Sequence, residues 1–206
     1  MDWLSEDVFG FRVEKKEIPR PGGAPYHQTS NTSIGVLHTT EGSTVDGAWR
    51  TLSQAGSAPH FITGEGRIVQ CRPLTAQGSA LRTNSPHHPN ADAQVQIEMV
   101  AFSKETLWLP GPETLEPSVA LLAFCARDLG IPLRIPAEWP DNCSDVPPRW
   151  AANNARRQNA ANGLWPAEKG WWMHMEVPWQ NPSWHWDCGA LKRSEMVRMA
   201  EVLLNQ

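Results

Sequence analysis

Apolar positions along the chain follow two periods, and the switches between them outline the elements. Ser33-Ile34-Gly35-Val36-Leu37-His38-Thr39-Thr40 is a short β-rich run that suits a buried strand. It reaches His38 just before the turn-prone Glu41-Gly42-Ser43, so that histidine can point into a cleft beside the loop. Val45, Ala48, Trp49 and Leu52 recur at helical spacing and predict a helix from Thr44 to Ala55. Pro59 to Thr63 and Arg67 to Cys71 predict the arms of a hairpin around Gly64-Glu65-Gly66. Gln94 to Val100 alternates polar and apolar, as a strand does, with Glu98 on the face of Gln94 and Gln96. That period leaves Glu98 facing either solvent or a site, and solvent is the simpler reading.

Leu115, Val119, Leu122, Ala126 and Leu129 form one face of a helix that stops at Gly130, ahead of Ile131-Pro132. Ala190 to Leu204 predicts a closing helix with Met196, Ala200 and Leu203 inward. Between these elements lie irregular stretches. Residues 1–30, with Pro19-Arg20-Pro21-Gly22-Gly23-Ala24-Pro25, read as an N-terminal arm wrapping the domain, because such a run continues neither a helix nor a central strand. Residues 75–93 read as a polar loop whose adjacent His87 and His88 are solvated. Residues 131–170 read as a long loop with one short helix around Ala151 to Ala160, and long loops in compact domains are often functional. With no internal repeat or linker, residues 31–206 form one domain.

Charge and composition narrow the function. The net charge of −4 offers no basic excess for phosphates, which argues against nucleic acid as partner. No apolar run approaches the roughly 18 residues of a membrane span, and Met1-Asp2-Trp3-Leu4-Ser5-Glu6-Asp7 lacks the basic and apolar regions of a secretory signal. A protein made in the cytoplasm is expected, reaching any extracellular target by another route. Cys71, Cys125, Cys143 and Cys188 are scattered without metal-type pairing, and Cys125 reads as a small core residue in its apolar helix.

The densest chemistry lies in Trp171-Trp172-Met173-His174-Met175-Glu176-Val177-Pro178 and Trp184-His185-Trp186-Asp187-Cys188-Gly189. Histidines, carboxylates and a thiol are the donors a borderline-soft cation such as zinc takes. The paired Cys/His spacing of a structural zinc finger is absent, so the stretch suits two ligands of an open site with a third elsewhere. Glu176 is read as a surface charge, or as a partner fixing a ligand imidazole.

Four motifs in this order resemble the type 2 N-acetylmuramoyl-L-alanine amidases, the superfamily that includes peptidoglycan recognition proteins. They are Val36-Leu37-His38-Thr39-Thr40; Ser57-Ala58-Pro59-His60-Phe61-Ile62 with Gly66-Arg67-Ile68-Val69-Gln70; Val95-Gln96-Ile97-Glu98; and His174-x-Glu176-Val177-Pro178 with His185-Trp186-Asp187. The string His185-Trp186-Asp187-Cys188-Gly189-Ala190-Leu191 is similar to one in amidase domains of actinobacteriophage endolysins, with Cys188 in place of a Pro. The resemblance spans about residues 30–205. It implies an α/β fold, a mixed central β-sheet flanked by helices, with a zinc site in a surface cleft. By position it implies His38, His174 and Asp187 as ligands of Zn2+, Glu98 as general base and His185 as a second catalytic group. Family members use Asp or Cys as third ligand, so Asp187 and Cys188 are both candidates, and the flanking residues favour Asp187. His60 falls on a position of structural support. Pro59 stands where some members carry a catalytic Tyr, which puts a Tyr-assisted route in doubt.

The activity implied is cleavage of the amide between N-acetylmuramic acid and the L-alanine of the stem peptide, by a phage lysin. Trp172 and Trp184 are expected to contact the glycan and peptide, although packing explains each tryptophan equally well. A monomer acting on the cell wall, without membrane insertion, is expected. The competing readings are a peptidoglycan-binding module without catalysis, a cytosolic amidase recycling soluble muropeptides, and a purely structural metal site closed by Cys188.

Overall fold

The computed structural model of the protein describes residues 3–4, 7–19, 27, 31–81, 88–136, 162–178 and 187–206. In chain order the strands are β1 (Val13–Lys15), β2 (Ile34–Thr39), β3 (Phe61–Gly64), β4 (Arg67–Gln70), β5 (Val95–Met99), β6 (Lys104–Trp108), β7 (Gly170–Met173) and β8 (Gly189–Leu191). The helices are α1 (Val45–Ala55), α2 (Pro89–Asp92), α3 (Pro112–Leu129) and α4 (Arg193–Leu204), and a 3₁₀ turn spans His174–Glu176. Six strands form one mixed sheet in the order β1-β4-β3-β5-β2-β7, while β6 and β8 pair apart from it. All pairings are parallel except the β3–β4 hairpin.

Strand β2 is buried at every position because it lies between parallel partners β5 and β7, the setting that favours a near-continuous apolar run. Two layers cover the sheet. Leu37, Phe61, Ile97, Met99, Trp171 and Met173 pack against α3 and α4, and Ile62 and Val69 on the other face pack with Val45 and Ala48 of α1. Gly35 faces Trp171 across the β2–β7 register, and a Cβ there would lie 2.4 Å from the indole ring. Only glycine admits that ring.

The helix ends are set by local chemistry. Thr44 caps α1 by accepting from the Gly47 N–H, and the left-handed Gly130 ends α3. Glu65, in the hairpin turn, accepts the Val45 N–H at 2.8 Å and so places a carboxylate at the positive end of α1. Cys125 is buried in the α3 core as expected.

Several expectations are revised. The N-terminal stretch contains β1, an edge strand beside β4, rather than irregular chain throughout. Ala190 and Leu191 belong to β8, so the closing helix begins at Arg193. The polar loop before β5 carries the short helix α2. The helix expected around Ala151 to Ala160 lies outside the described residues.

His60 ties the hairpin to its surroundings. Its Nδ1 accepts the Gln96 N–H at 3.1 Å, and its Nε2 donates to the Ala76 carbonyl at 2.8 Å. Burial lowers its pKa from 6.5 to about 4, since the neutral ring fits these partners and a desolvated imidazolium does not. A depressed base contributes stability that is full above its unfolded pKa and is lost as pH falls from 6.5 towards 4, about 3 kcal/mol in all. Urea titrations of wild type and His60→Gln across that range test this. The variant should be less stable near pH 7, by about 1–3 kcal/mol, yet bind close to one proton fewer on unfolding at pH 5. Parallel pH profiles would show that His60 is not buried neutral.

Candidate metal centre

The carboxyl ends of β5, β2 and β7 bring three site residues into a row. His38 and Glu98 are register partners on adjacent parallel strands, so their side chains leave the same face of the sheet. Leu37 pairs with Met173, and His174 follows directly as the first residue of the 3₁₀ turn. Asp187 reaches the row from the segment before β8, where its carbonyl accepts the Met175 N–H at 2.9 Å. In open α/β sheets, ligands gather at this end of the strands.

The donor atoms converge closely. His38 Nδ1 and His174 Nδ1 are 3.1 Å apart, His174 Nδ1 and Asp187 Oδ2 are 3.0 Å apart, and His38 Nδ1 and Asp187 Oδ2 are 3.7 Å apart. Ligand atoms about 2.1 Å from a tetrahedral zinc lie roughly 3.4 Å from one another, a value these three edges bracket. His38, His174 and Asp187, all buried, could hold a metal ion. Two imidazoles and one carboxylate fit zinc, and these three residues would hold the cation together. Glu98 Oε1 lies 3.8 Å from His38 Nδ1, beside the triangle.

Glu98, Asp187 and His174 open onto a cleft of about 240 Å³, lined also by Thr39, Glu41 and the α1 residues Ala48, Thr51 and Leu52. Burial first, then the charges of Asp187 and Glu41, pushes the Glu98 carboxyl well above its usual range. A cation at the triangle would pull it back down. Glu41 is anchored at the rim, where Thr39 Oγ1 donates to it at 2.7 Å and the Ser103 N–H at 3.0 Å. In the sequence Glu41 is a turn residue, and no local pattern signals its contact with Ser103, 62 positions away.

The solvent-facing reading of Glu98 is overturned, since it is 6% exposed with Gln94 and Gln96 also buried. Strand alternation reports two faces, and here both are covered. Glu176 is not a surface charge but a fully buried carboxylate. It accepts the Met173 N–H at 2.8 Å and forms a two-pronged ion pair with Arg193. Removing one partner of such a pair typically costs about 3–5 kcal/mol.

Trp172 does not line the cleft. It is 0% exposed, packs edge-on against Trp165 with ring centroids 5.2 Å apart, and its Nε1 donates to the Glu168 carbonyl. A side chain without accessible surface cannot touch a substrate, so the substrate-binding expectation fails for Trp172. Trp184 and His185 lie outside the described residues. Cys188 belongs to the apolar core, and burial pushes its thiol well above the usual range. Its neighbour Asp187 supplies the oxygen in the triangle.

No protein-family model matches the chain, and no characterised protein matches its sequence. Solved structures similar to it include the catalytic domain of XlyA, 17% identical, with 59% of this chain and 80% of that chain covered at a TM-score of 0.45. Another is the N-acetylmuramoyl-L-alanine amidase LysC from Clostridium intestinale, 20% identical, covering 58% and 78% at 0.43. The Staphylococcus aureus hydrolase AmiA in complex with its ligand is 11% identical and covers 94% and 83% at 0.45.

Zinc titration of the purified protein should give one tight site. His38→Ala and Asp187→Ala should each weaken it by more than the roughly 100-fold upper range of outer partners, while Cys188→Ser should retain it. Loss of zinc in the Cys188 variant alone would move the third ligand by one residue.

Proposed function

We propose that the protein is a zinc-dependent peptidoglycan hydrolase that cleaves the amide between N-acetylmuramic acid and the L-alanine of the stem peptide. One observation carries the reading: the triangle of His38, His174 and Asp187 donor atoms closes beside Glu98 at the mouth of a cleft. The ordered motifs shared with type 2 amidases supply the substrate.

Three protein ligands leave a fourth position of a tetrahedral zinc open, as catalytic sites do. Zinc, when bound, supplies a Lewis acid that polarises the scissile carbonyl and lowers the pKa of water to about 7. Glu98 takes one proton from the attacking water. The water oxygen bonds to the lactyl carbonyl carbon, the C–N bond breaks, and Glu98 returns the proton to the departing L-alanine nitrogen. Such a positioned base contributes about 10²–10⁴ in rate. His174 and His38 would have to bind the metal as neutral imidazoles, so protons would compete with it as pH drops. His185 is assigned to the oxyanion, where one donor is worth about 10²–10³.

The setting is that of a phage lysin acting on actinobacterial walls. No described helix is long and apolar enough to cross a membrane. A binding module without catalysis would have no use for a base beside a ligand set, and the nearness of Glu98 and Asp187 to the two histidines supports catalysis.

Digestion of purified actinobacterial peptidoglycan, read by mass spectrometry, tests the reading. New L-alanine amino termini without new reducing sugars should appear, vanish with chelator and return with zinc. Glu98→Gln should keep its zinc and lose about 10²–10⁴ in turnover. Full activity in that variant would remove Glu98 as the base. A zinc-loaded wild type that binds walls but releases nothing would make the protein a recognition module.

A further inference from the structure

The Glu176–Arg193 pair lies one turn away from the metal triangle, and its contacts fall on the backbone that carries the ligands. Arg193 is the first residue of α4 and is almost fully buried. One of its terminal nitrogens, Nη1, donates to Glu176 Oε2 and to the Trp171 carbonyl at 2.9 Å. The other, Nη2, donates to Glu176 Oε1 at 2.9 Å. Glu176 Oε2 also accepts the Met173 N–H at 2.8 Å. The pair therefore grips β7 at Trp171 and Met173, and the 3₁₀ turn at Glu176. Within that grip lie His174 and the Met175 N–H that holds the Asp187 carbonyl.

We infer that Arg193 and Glu176 are positioning residues for the metal centre, fixing His174 directly and Asp187 through Met175. The inference rests on the zinc reading above and deepens it. Burial alone would not require this geometry. A planar guanidinium serves a carboxylate with two prongs and a carbonyl with a spare N–H, whereas an ammonium is a point donor without a fixed fork. The specific need at 193 is the fork.

The test compares wild type, Arg193→Lys and Glu176→Gln. Zinc affinity is measured by chelator competition, the visible spectrum of the cobalt(II)-substituted protein is recorded, and the metal-free proteins are melted to give the folded fraction. Arg193→Lys should remain cooperatively folded yet bind zinc about 10–100-fold more weakly, the cost typical of partners behind metal ligands, with altered cobalt bands. Glu176→Gln, which keeps an acceptor for the Met173 N–H, should lose less. Wild-type affinity and spectrum in folded Arg193→Lys would overturn the inference. So would a loss of affinity, in either variant, that disappears once corrected for folded fraction. Failure of the wild type to bind zinc would overturn the metal reading and this inference with it. Zinc binding without amide cleavage would strike only the proposed reaction.

Discussion

The register between β2 and β5 is the constraint on which the site depends. Parallel neighbours in register, about 4.8 Å apart, must send the side chains of paired residues to the same face. Pairing His38 with Glu98 therefore places a ring nitrogen and a carboxylate side by side before any loop is considered. The β2–β7 register adds His174 on the far side of His38, so three chemical groups share one sheet edge. A slip of one residue in either pairing would turn a member of the row into the core behind it. The packing that prevents such a slip is visible in Gly35, which fits only opposite the Trp171 ring.

Electrostatics explains why this arrangement calls for a cation. Asp187 and Glu98 are both nearly buried, and Glu41 adds a third carboxylate at the cleft. Burial, with the neighbouring charges of Asp187 and Glu41, drives Glu98 towards its protonated form. A divalent cation held by His38, His174 and Asp187 would reverse that drive and favour the charged form of Glu98. Metal binding and the charge of Glu98 would thus be two aspects of one balance.

Much of this was legible in the sequence, though not evenly. The strand at Ile34–Thr39, the β3–β4 hairpin and the Gly130 stop of α3 follow from period and turn chemistry. The three-residue β1 and β8 are too short to show a period, and β8 runs into the apolar pattern of α4. Residue identity does not carry burial: the strand pattern alone left Glu98 open to solvent, and Glu176 and Trp172 are buried where a surface charge and a substrate contact are expected. An alternating strand gives the two faces but not what covers them. A tryptophan-rich segment looks the same whether its rings meet a ligand or, like Trp172 and Trp165, each other.

Asp187 and Cys188 show how environment decides between two chemically able neighbours. A thiol binds metal as thiolate, and Cys188 sits among apolar side chains that hold it as the neutral thiol. A carboxylate in that core would be costlier still. Exchanging the two residues would put a charge among apolar side chains and a thiol beside two imidazoles. The backbone fixes the choice, since the Asp187 carbonyl is held by Met175 and the Cys188 carbonyl by Trp108 Nε1. The two carbonyls have different partners, and the Asp187 carboxylate lies 3.0 Å from His174 Nδ1.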